Sequence, residues 1–445
     1  MLKVLVDLPR TGLEFFPPIE AYHKDRPVAE QHMPGGLIVE ERTPETLISF
    51  CFVNPAIAPL KANAVEEIIP PVAVPAKATS TWAEKDVQRA PEKEEAEPIE
   101  QVPARPTLKT LFGENGGLAW GVSDVHGIPV GRFIITKVLS TTGNHGLVTS
   151  CEDKDRQSYA MKIERGKNEM STDTLSYTEI HKRLTERGGD LCIPGLIESF
   201  KEEGREILVM QRLGPDLKSL QKSLNTQKLS RKTILEIGMS LITAYEQIHE
   251  AGWLHLTTKP ANFCIGGTKE TRHKVYPIEF GRAQQYLLTG EDGEVKHRDG
   301  NPYIKGRQAE KYCPYWSSRK ITASRRDDMN ALAQMLFFWG MTDEARQEHF
   351  CDCCPKWPQL FEVLNKGQPK VLTPVDKMLR YTLELKYNQK PDYEMLRESF
   401  RSYAKKERII LDGRYDWEDK LRYDHHGQVS VTGGEPVYDR VVVHS

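Results

Sequence analysis

The ten residues Leu254-His-Leu-Thr-Thr-Lys-Pro-Ala-Asn-Phe263 are the most informative stretch of the chain. They follow residues 233–250, whose apolar side chains recur at steps of three and four, which is the spacing of one helix face. Sixteen residues after Phe263, Glu279 stands in the segment Val275-Tyr-Pro-Ile-Glu-Phe-Gly281. Pro277 in that segment has no N–H and so removes a hydrogen bond from a strand that would aim the following loop. These two segments hold many of the chain's candidate site residues.

The elements around these segments predict the fold class. Upstream of the helix, residues 131–138, 158–163 and 207–210 have the composition of short strands. Downstream, residues 332–339 and 372–385 are candidates for buried helices. Strands first and helices afterwards predict an α+β chain with two lobes.

Several of these segments resemble protein kinases of the casein kinase 1 superfamily. Leu208-Val-Met-Gln-Arg-Leu-Gly-Pro-Asp-Leu217 resembles the family's hinge, and residues 254–263 are similar to its catalytic loop, H-R-D-[IV]-K-P-x-N-F. Residues 275–281 resemble V-Y-x-x-D-F-G. Ser324-Arg-Arg-Asp-Asp-Met-Asn-Ala-Leu332 and Lys390-Pro-Asp-Tyr-Glu-Met-Leu-Arg-Glu-Ser-Phe400 look like two later motifs of the family. The first of these would place Asp328, buried at a helix start, against the catalytic-loop backbone.

The resemblance covers residues 127–420 and implies a protein kinase-like fold. The small lobe would span residues 127–210 and the large lobe residues 215–405. Asp416-Trp-Glu418 is similar to the tau-tubulin kinase-like branch of the superfamily.

The resemblance also implies a nucleotide site. Thr141-Thr-Gly-Asn-His-Gly-Leu-Val148 fits the phosphate-loop spacing G-x-G-x-x-G-x-V with threonine in place of the first glycine. Lys162 would pair with the phosphates and with Glu179 on a helix. The simpler interpretation of the glycine segment is an ordinary hairpin turn, and that of Glu179 is a surface residue of a helix. The implied nucleotide-binding residues are Gly143, Gly146, Val148, Lys162, Glu179, Met210, Gln211 and Leu213.

Two departures from the family pattern affect catalysis. Thr257 stands where the family has the aspartate that orients the substrate hydroxyl, and Glu279 stands where it has the metal-binding aspartate. A threonine is no carboxylate base at neutral pH, and losing a positioned acid–base group costs about 10²–10⁴ in rate. Glu279 adds a methylene and weakens a Mg²⁺ or Mn²⁺ site that Asn262 would share. Lys259 keeps its place in the catalytic loop.

The sequence therefore indicates a pseudokinase of the casein kinase 1 type that binds other proteins, with ATP binding still open. Two alternatives remain at this point. One is an active Ser/Thr protein kinase with an atypical catalytic site, and the other is a switch that ATP closes without turnover.

Composition sets the chain ends apart. Fifteen of the 28 prolines fall in the first 110 residues, and residues 55–106 mix Pro, Ala and Val with Glu and Lys. Such a composition buries too little apolar surface to offset chain entropy, so residues 1–126 are expected to form a disordered Pro-rich arm. Residues 421–445 are expected to form a polar tail.

The charge balance restricts the class of partner. Lys and Arg number 61 and Asp and Glu 63, a net charge of −2 that argues against a protein that coats nucleic acid or membranes. No apolar run approaches the ~18 residues that span a bilayer, and no signal peptide is recognisable at the start. We therefore expect an intracellular chain, in the cytoplasm or the nucleus, with protein partners. The oligomeric state is left open.

Overall fold

The fold is known from a computed structural model. It describes residues 106–112, 119, 125–143, 146–164, 172–290, 293–299, 312–341, 357, 360 and 372–432. Most of the predicted Pro-rich arm, residues 1–105, lies outside the described residues. Within the described part, the chain is α+β, as predicted, with a sheet first and most of its helices afterwards.

A six-stranded antiparallel sheet forms the first part of the described chain. Its order is β1-β2-β3-β4-β6-β5, and its strands are β1 Pro129–Val130, β2 Phe133–Gly143, β3 Gly146–Glu152, β4 Ser158–Glu164, β5 Leu196–Glu202 and β6 Arg205–Gln211. The sheet curls, because the β1–β2 connection reaches the opposite edge strand. There the Gly131 N–H donates to Glu202 (2.5 Å) and Arg132 Nε to Glu198 (2.9 Å). Helix α1, Thr172–Arg187, links β4 to β5.

The apolar core of the sheet includes residues that precede the predicted kinase-like region. Leu108 and Leu111 are buried in the same cluster as Phe133 and Ile163. These two leucines fall within the segment predicted as disordered arm. The packed part of the chain therefore begins before residue 127.

Gly146 in the β2–β3 hairpin is fixed by a close approach of two strands. Its φ is +146°, and a Cβ there would lie 2.2 Å from the carbonyl oxygen of Ile163 in β4. A glycine is thus needed for packing at this position, whether or not a phosphate ever meets the hairpin.

Helices and short strands make up the rest of the described chain. The helices are α2 Leu217–Ser223, α3 Arg231–Glu250, α4 Tyr315–Ser318, α5 Arg325–Gly340, α6 Thr373–Glu384 and α7 Tyr393–Lys406. Helix α3 packs against α5 and α7, and α5 packs against α6. The helix predicted from periodicity at 233–250 and the two helix candidates at 332–339 and 372–385 are confirmed, as α3, α5 and α6. No helix among the described residues combines the length and apolar content needed to cross a membrane.

Short antiparallel strand pairs connect these helices. They are β7 Trp253–Leu254 with β10 Gln284–Gln285, β8 Phe263–Ile265 with β9 Val275–Pro277, β11 Leu287–Thr289 with β12 Val295–His297, and β13 Leu421–Tyr423 with β14 Val429–Val431. The loop that contains Thr257 joins β7 to β8, and Glu279 stands two residues after the end of β9. The pairing of β8 with β9 therefore brings both substituted positions to one place.

The hairpin β13–β14 lies in the segment predicted to be a polar tail. Leu421, Val429 and Val431 are buried, and the Val429 N–H donates to the Gly267 carbonyl at 2.9 Å. Residues 421–432 are thus packed on the helical part, and residues 433–445 lie outside the described residues.

Candidate functional site

The loop at 254–263 is held by one buried carboxylate. Asp328 lies in the first turn of α5 and accepts hydrogen bonds from the backbone N–H groups of His255 and Leu256, both at 2.8 Å. Leu256 has a φ of +63°, a left-handed conformation that costs energy for a leucine. The two hydrogen bonds fix this conformation, and they confirm the role predicted for Asp328.

Two buried histidines surround this carboxylate. His249 Nε2 lies 3.0 Å from Asp328 Oδ2, and its Nδ1 lies 2.6 Å from the Tyr393 hydroxyl. His255 Nε2 lies 3.0 Å from the Ile278 carbonyl oxygen, so this nitrogen carries the proton and donates it. Burial lowers the pKa of both histidines below the usual value, although the negative charge of Asp328 opposes the shift.

The protein is expected to lose stability as the pH falls below the pKa of a free histidine, about 6.5. In this range the unfolded chain binds protons at His249 and His255, whereas the folded chain does not, because both folded pKa values are lowered. Each histidine contributes a slope of at most about 1.4 kcal/mol per pH unit. Urea unfolding at about pH 7.5 and about pH 5.5 measures this loss. Equal stability at the two values would contradict it.

Thr257 points its hydroxyl at backbone and not at open solvent. Its Oγ1 donates to the carbonyl oxygen of Glu279 at 2.9 Å, and the residue is 7% exposed. The Asn262 side-chain N–H donates to the Thr257 carbonyl at 2.9 Å. The threonine thus joins the loop at 254–263 to the loop after β9, and its only hydroxyl proton is used in that bond.

Lys162 of β4 is surrounded by carboxylates. Its Nζ forms an ion pair with Asp173, and lies 3.6 Å from Glu164 Oε1 and 3.9 Å from Glu279 Oε1. The ammonium group, Asp173 and Glu164 are all more than 90% buried. Burial alone would lower the pKa of Lys162, but the three carboxylates, Asp173 foremost, outweigh it and raise this pKa.

The prediction of a Lys162–Glu179 ion pair is therefore wrong, although the lysine does pair with an acid of α1. Asp173 lies in the first turn of that helix, and Glu179 follows six residues later, about 240° further around the axis. Glu179 Oε1 instead lies 2.7 Å from Arg183 Nε. Sequence alone identified the helix but not which of its acids faces the lysine.

Glu279 has an unusual backbone. Its φ is +66°, and its side chain is about one-third exposed. The carboxylate faces the ammonium group of Lys162, whereas its carbonyl faces Thr257. Among the described residues, no group of three or more His, Cys, Asp or Glu side chains is placed to hold a metal ion.

The hinge-like segment, residues 208–217, begins inside β6, and its residues 210–216 are half-buried. Met210 pairs with Ala160 of β4, and the Gln211 N–H donates to the Gly195 carbonyl at 2.7 Å. Within the described part of the chain, nothing accepts a hydrogen bond from the Leu213 N–H.

The remaining predicted residues lie close to these in the chain. Gly143 and Gly146 pair across the β2–β3 hairpin, and Val148 pairs with Lys162 between β3 and β4. Lys259 is exposed, immediately before the turn Pro260–Asn262. The contacts described above join four of the predicted residues into one connected set: Lys162 faces Glu279, Glu279 accepts the hydroxyl of Thr257, and Thr257 accepts the side-chain N–H of Asn262.

Sequence reasoning missed three side chains of this set. Asp173 and Glu164 contact the lysine, and the Ser176 hydroxyl donates to the Phe280 carbonyl at 3.0 Å. Glu164 stands two residues after Lys162 in the same strand, so both side chains lie on one face of the sheet. That spacing was the available signal for Glu164.

A comparison with models of known protein families found none that matches the chain.

Proposed function

We propose that the chain is a catalytically inactive protein kinase-like protein of the casein kinase 1 type, which acts by binding other proteins. The proposal takes the sheet with α1 as the small lobe and the helical part as the large lobe. In its support, the segments that resemble the hinge, the catalytic loop and the metal loop begin within β6, β7 and β9, in that order.

The hydrogen bond from Thr257 to the Glu279 carbonyl carries the proposal. Transfer of a phosphoryl group to an alcohol needs a group that orients the hydroxyl and accepts its proton. The Thr257 hydroxyl is instead a donor to backbone. Asp328 is the only carboxylate that hydrogen-bonds residues 254–263 within the described part of the chain, and it is buried and occupied by backbone N–H groups.

The fit of ATP differs between the two ends of the nucleotide. The free Leu213 N–H suits the acceptor nitrogen of an adenine edge. The triphosphate does not fit, because Lys162 is already bonded by Asp173, and the carboxylate of Glu279, which also faces the lysine, would repel a phosphate. Of the predicted metal ligands, Glu279 faces the lysine and Asn262 is bonded to the loop. Nucleotide and metal are therefore not needed for the function we propose.

A phosphate-transfer assay tests the absence of catalysis. The full chain, incubated with γ-labelled ATP, Mg²⁺ or Mn²⁺ and an acidic protein substrate, is expected to transfer no more label than a Lys162→Arg variant. Arginine suits the control because it keeps the positive charge that the three carboxylates require. Transfer that persists through purification and disappears in Lys162→Arg would establish an active kinase and overturn the proposal.

Replacement in the cell tests the binding role in the same proposal. A Lys162→Arg chain is expected to restore whatever phenotype a deletion causes, at wild-type abundance. Failure to restore it, with the variant present at normal level, would mean that the function requires the amine of Lys162.

A further inference from the structure

The N-terminal part of α1 makes two contacts, through residues that lie three positions apart. Asp173 forms the ion pair with Lys162 of the sheet. The Ser176 hydroxyl donates to the carbonyl of Phe280, in the loop after β9, at 3.0 Å. Because a helix turn is rigid, these contacts fix the position of that loop relative to β4.

Apolar packing supports the same junction. The Phe280 ring is 1% exposed and meets two other rings edge to face, Tyr177 of α1 at 5.3 Å and His255 at 5.0 Å between centroids. Phe280 is thus held by its carbonyl on Ser176 and by its ring between the helix and the loop at 254–263.

The contacts between these elements continue at Glu279, the residue before Phe280. The Glu279 carbonyl accepts the Thr257 hydroxyl, and Asp328 fixes the backbone two residues before Thr257. The sheet, α1, the loop after β9, the loop at 254–263 and α5 are therefore joined without a gap by side chains of the protein itself. No step of this chain of contacts requires a nucleotide or a metal ion.

We propose that Ser176 and Thr257 are positioning residues that hold residues 278–281 in place in the absence of any ligand. This inference rests on the proposed non-catalytic function and gives it a physical basis, because a protein that presents a binding surface gains from a loop that stays assembled without a ligand. The loop after β9 is then permanently assembled, and ATP has no role in closing it.

Amide hydrogen exchange on the full chain, read at residues 278–283, tests the proposal. Ser176→Ala is expected to speed exchange there about tenfold, the equivalent of one lost buried hydrogen bond, and to leave β4 and β6 unchanged. Thr178→Ala is the matched control, because among the described residues that hydroxyl bonds only to carbonyls of its own helix, those of Thr174 and Leu175. Equal exchange in the Ser176→Ala variant and the wild type would overturn the proposal.

A second pair of variants keeps the test decisive if Ser176→Ala unfolds as a whole. Thr257→Val removes the hydroxyl at constant shape and is expected to speed exchange at residues 278–281, whereas Thr257→Ser keeps the hydroxyl and is expected to restore protection. Similar exchange in the valine and serine variants would contradict the role of Thr257.

Added nucleotide separates this proposal from ligand-driven closure. ATP with Mn²⁺ is expected to leave exchange at residues 278–281 of the wild type unchanged. Clear protection of these residues by ATP would show that the ligand, and not Ser176 and Thr257, assembles the loop. The outcome is independent of the phosphate-transfer assay, so the two proposals can fail separately.

Discussion

Replacing Lys162 with methionine is expected to destabilise the fold by about 3–5 kcal/mol, as measured by urea unfolding. The variant removes the positive charge that pairs with Asp173 and leaves that carboxylate buried. A buried charge without a partner is far more costly than an exposed one. The loss is a large fraction of the 5–15 kcal/mol that typically holds a domain folded.

Two further variants show whether the cost comes from uncompensated charge. Lys137→Met changes an exposed lysine of β2 and is expected to alter the free energy of unfolding by less than about 0.5 kcal/mol. The double variant Lys162→Met with Asp173→Asn is expected to be more stable than Lys162→Met alone, because one orphaned charge is removed. A double variant that is less stable than Lys162→Met would contradict this explanation.

Replacing Asp328 with alanine is expected to cost a similar amount, about 3–5 kcal/mol. The variant leaves the N–H groups of His255 and Leu256 buried without acceptors, and it releases the left-handed backbone at Leu256. His249 loses its carboxylate partner in the same step. Thermal or urea unfolding measures the effect.

Asp376→Ala is the matched control for this variant. Asp376 also lies in the first turn of a helix, α6, but its side chain is 29% exposed and pairs with Arg380. Its removal is expected to cost less than about 1 kcal/mol. Equal losses in the two variants would mean that the effect at Asp328 comes from the helix terminus and not from the loop that it holds.

Periodicity and composition predicted the elements well because they depend on neighbouring residues. The apolar spacing of residues 233–250 indicates which face of the helix is buried, and these residues form most of α3. The strand that carries Lys162 was also located from its own residues, as β4. Such local signals do not extend to the choice between Asp173 and Glu179, which depends on how α1 is rotated against the sheet.

Two other features lay beyond local reasoning. Pro277 was expected to disturb the strand before Glu279, yet the next residue supplies the bond, because the Ile278 N–H donates to the Asn262 carbonyl at 2.9 Å. The hairpin at residues 421–431 has only a few apolar residues in a polar sequence, and their burial depends on a distant loop at Gly267. Contacts of this kind are decided by the tertiary arrangement.

The packing of β14 on Gly267 sets a practical boundary for anyone who shortens this protein. A chain that ends at residue 420, where the motifs end, would lack β14. It would expose the part of α2 that β14 contacts and leave the Gly267 carbonyl without its donor. Its newly bared surface would invite self-association during purification. The smallest self-sufficient piece therefore extends at least to residue 432.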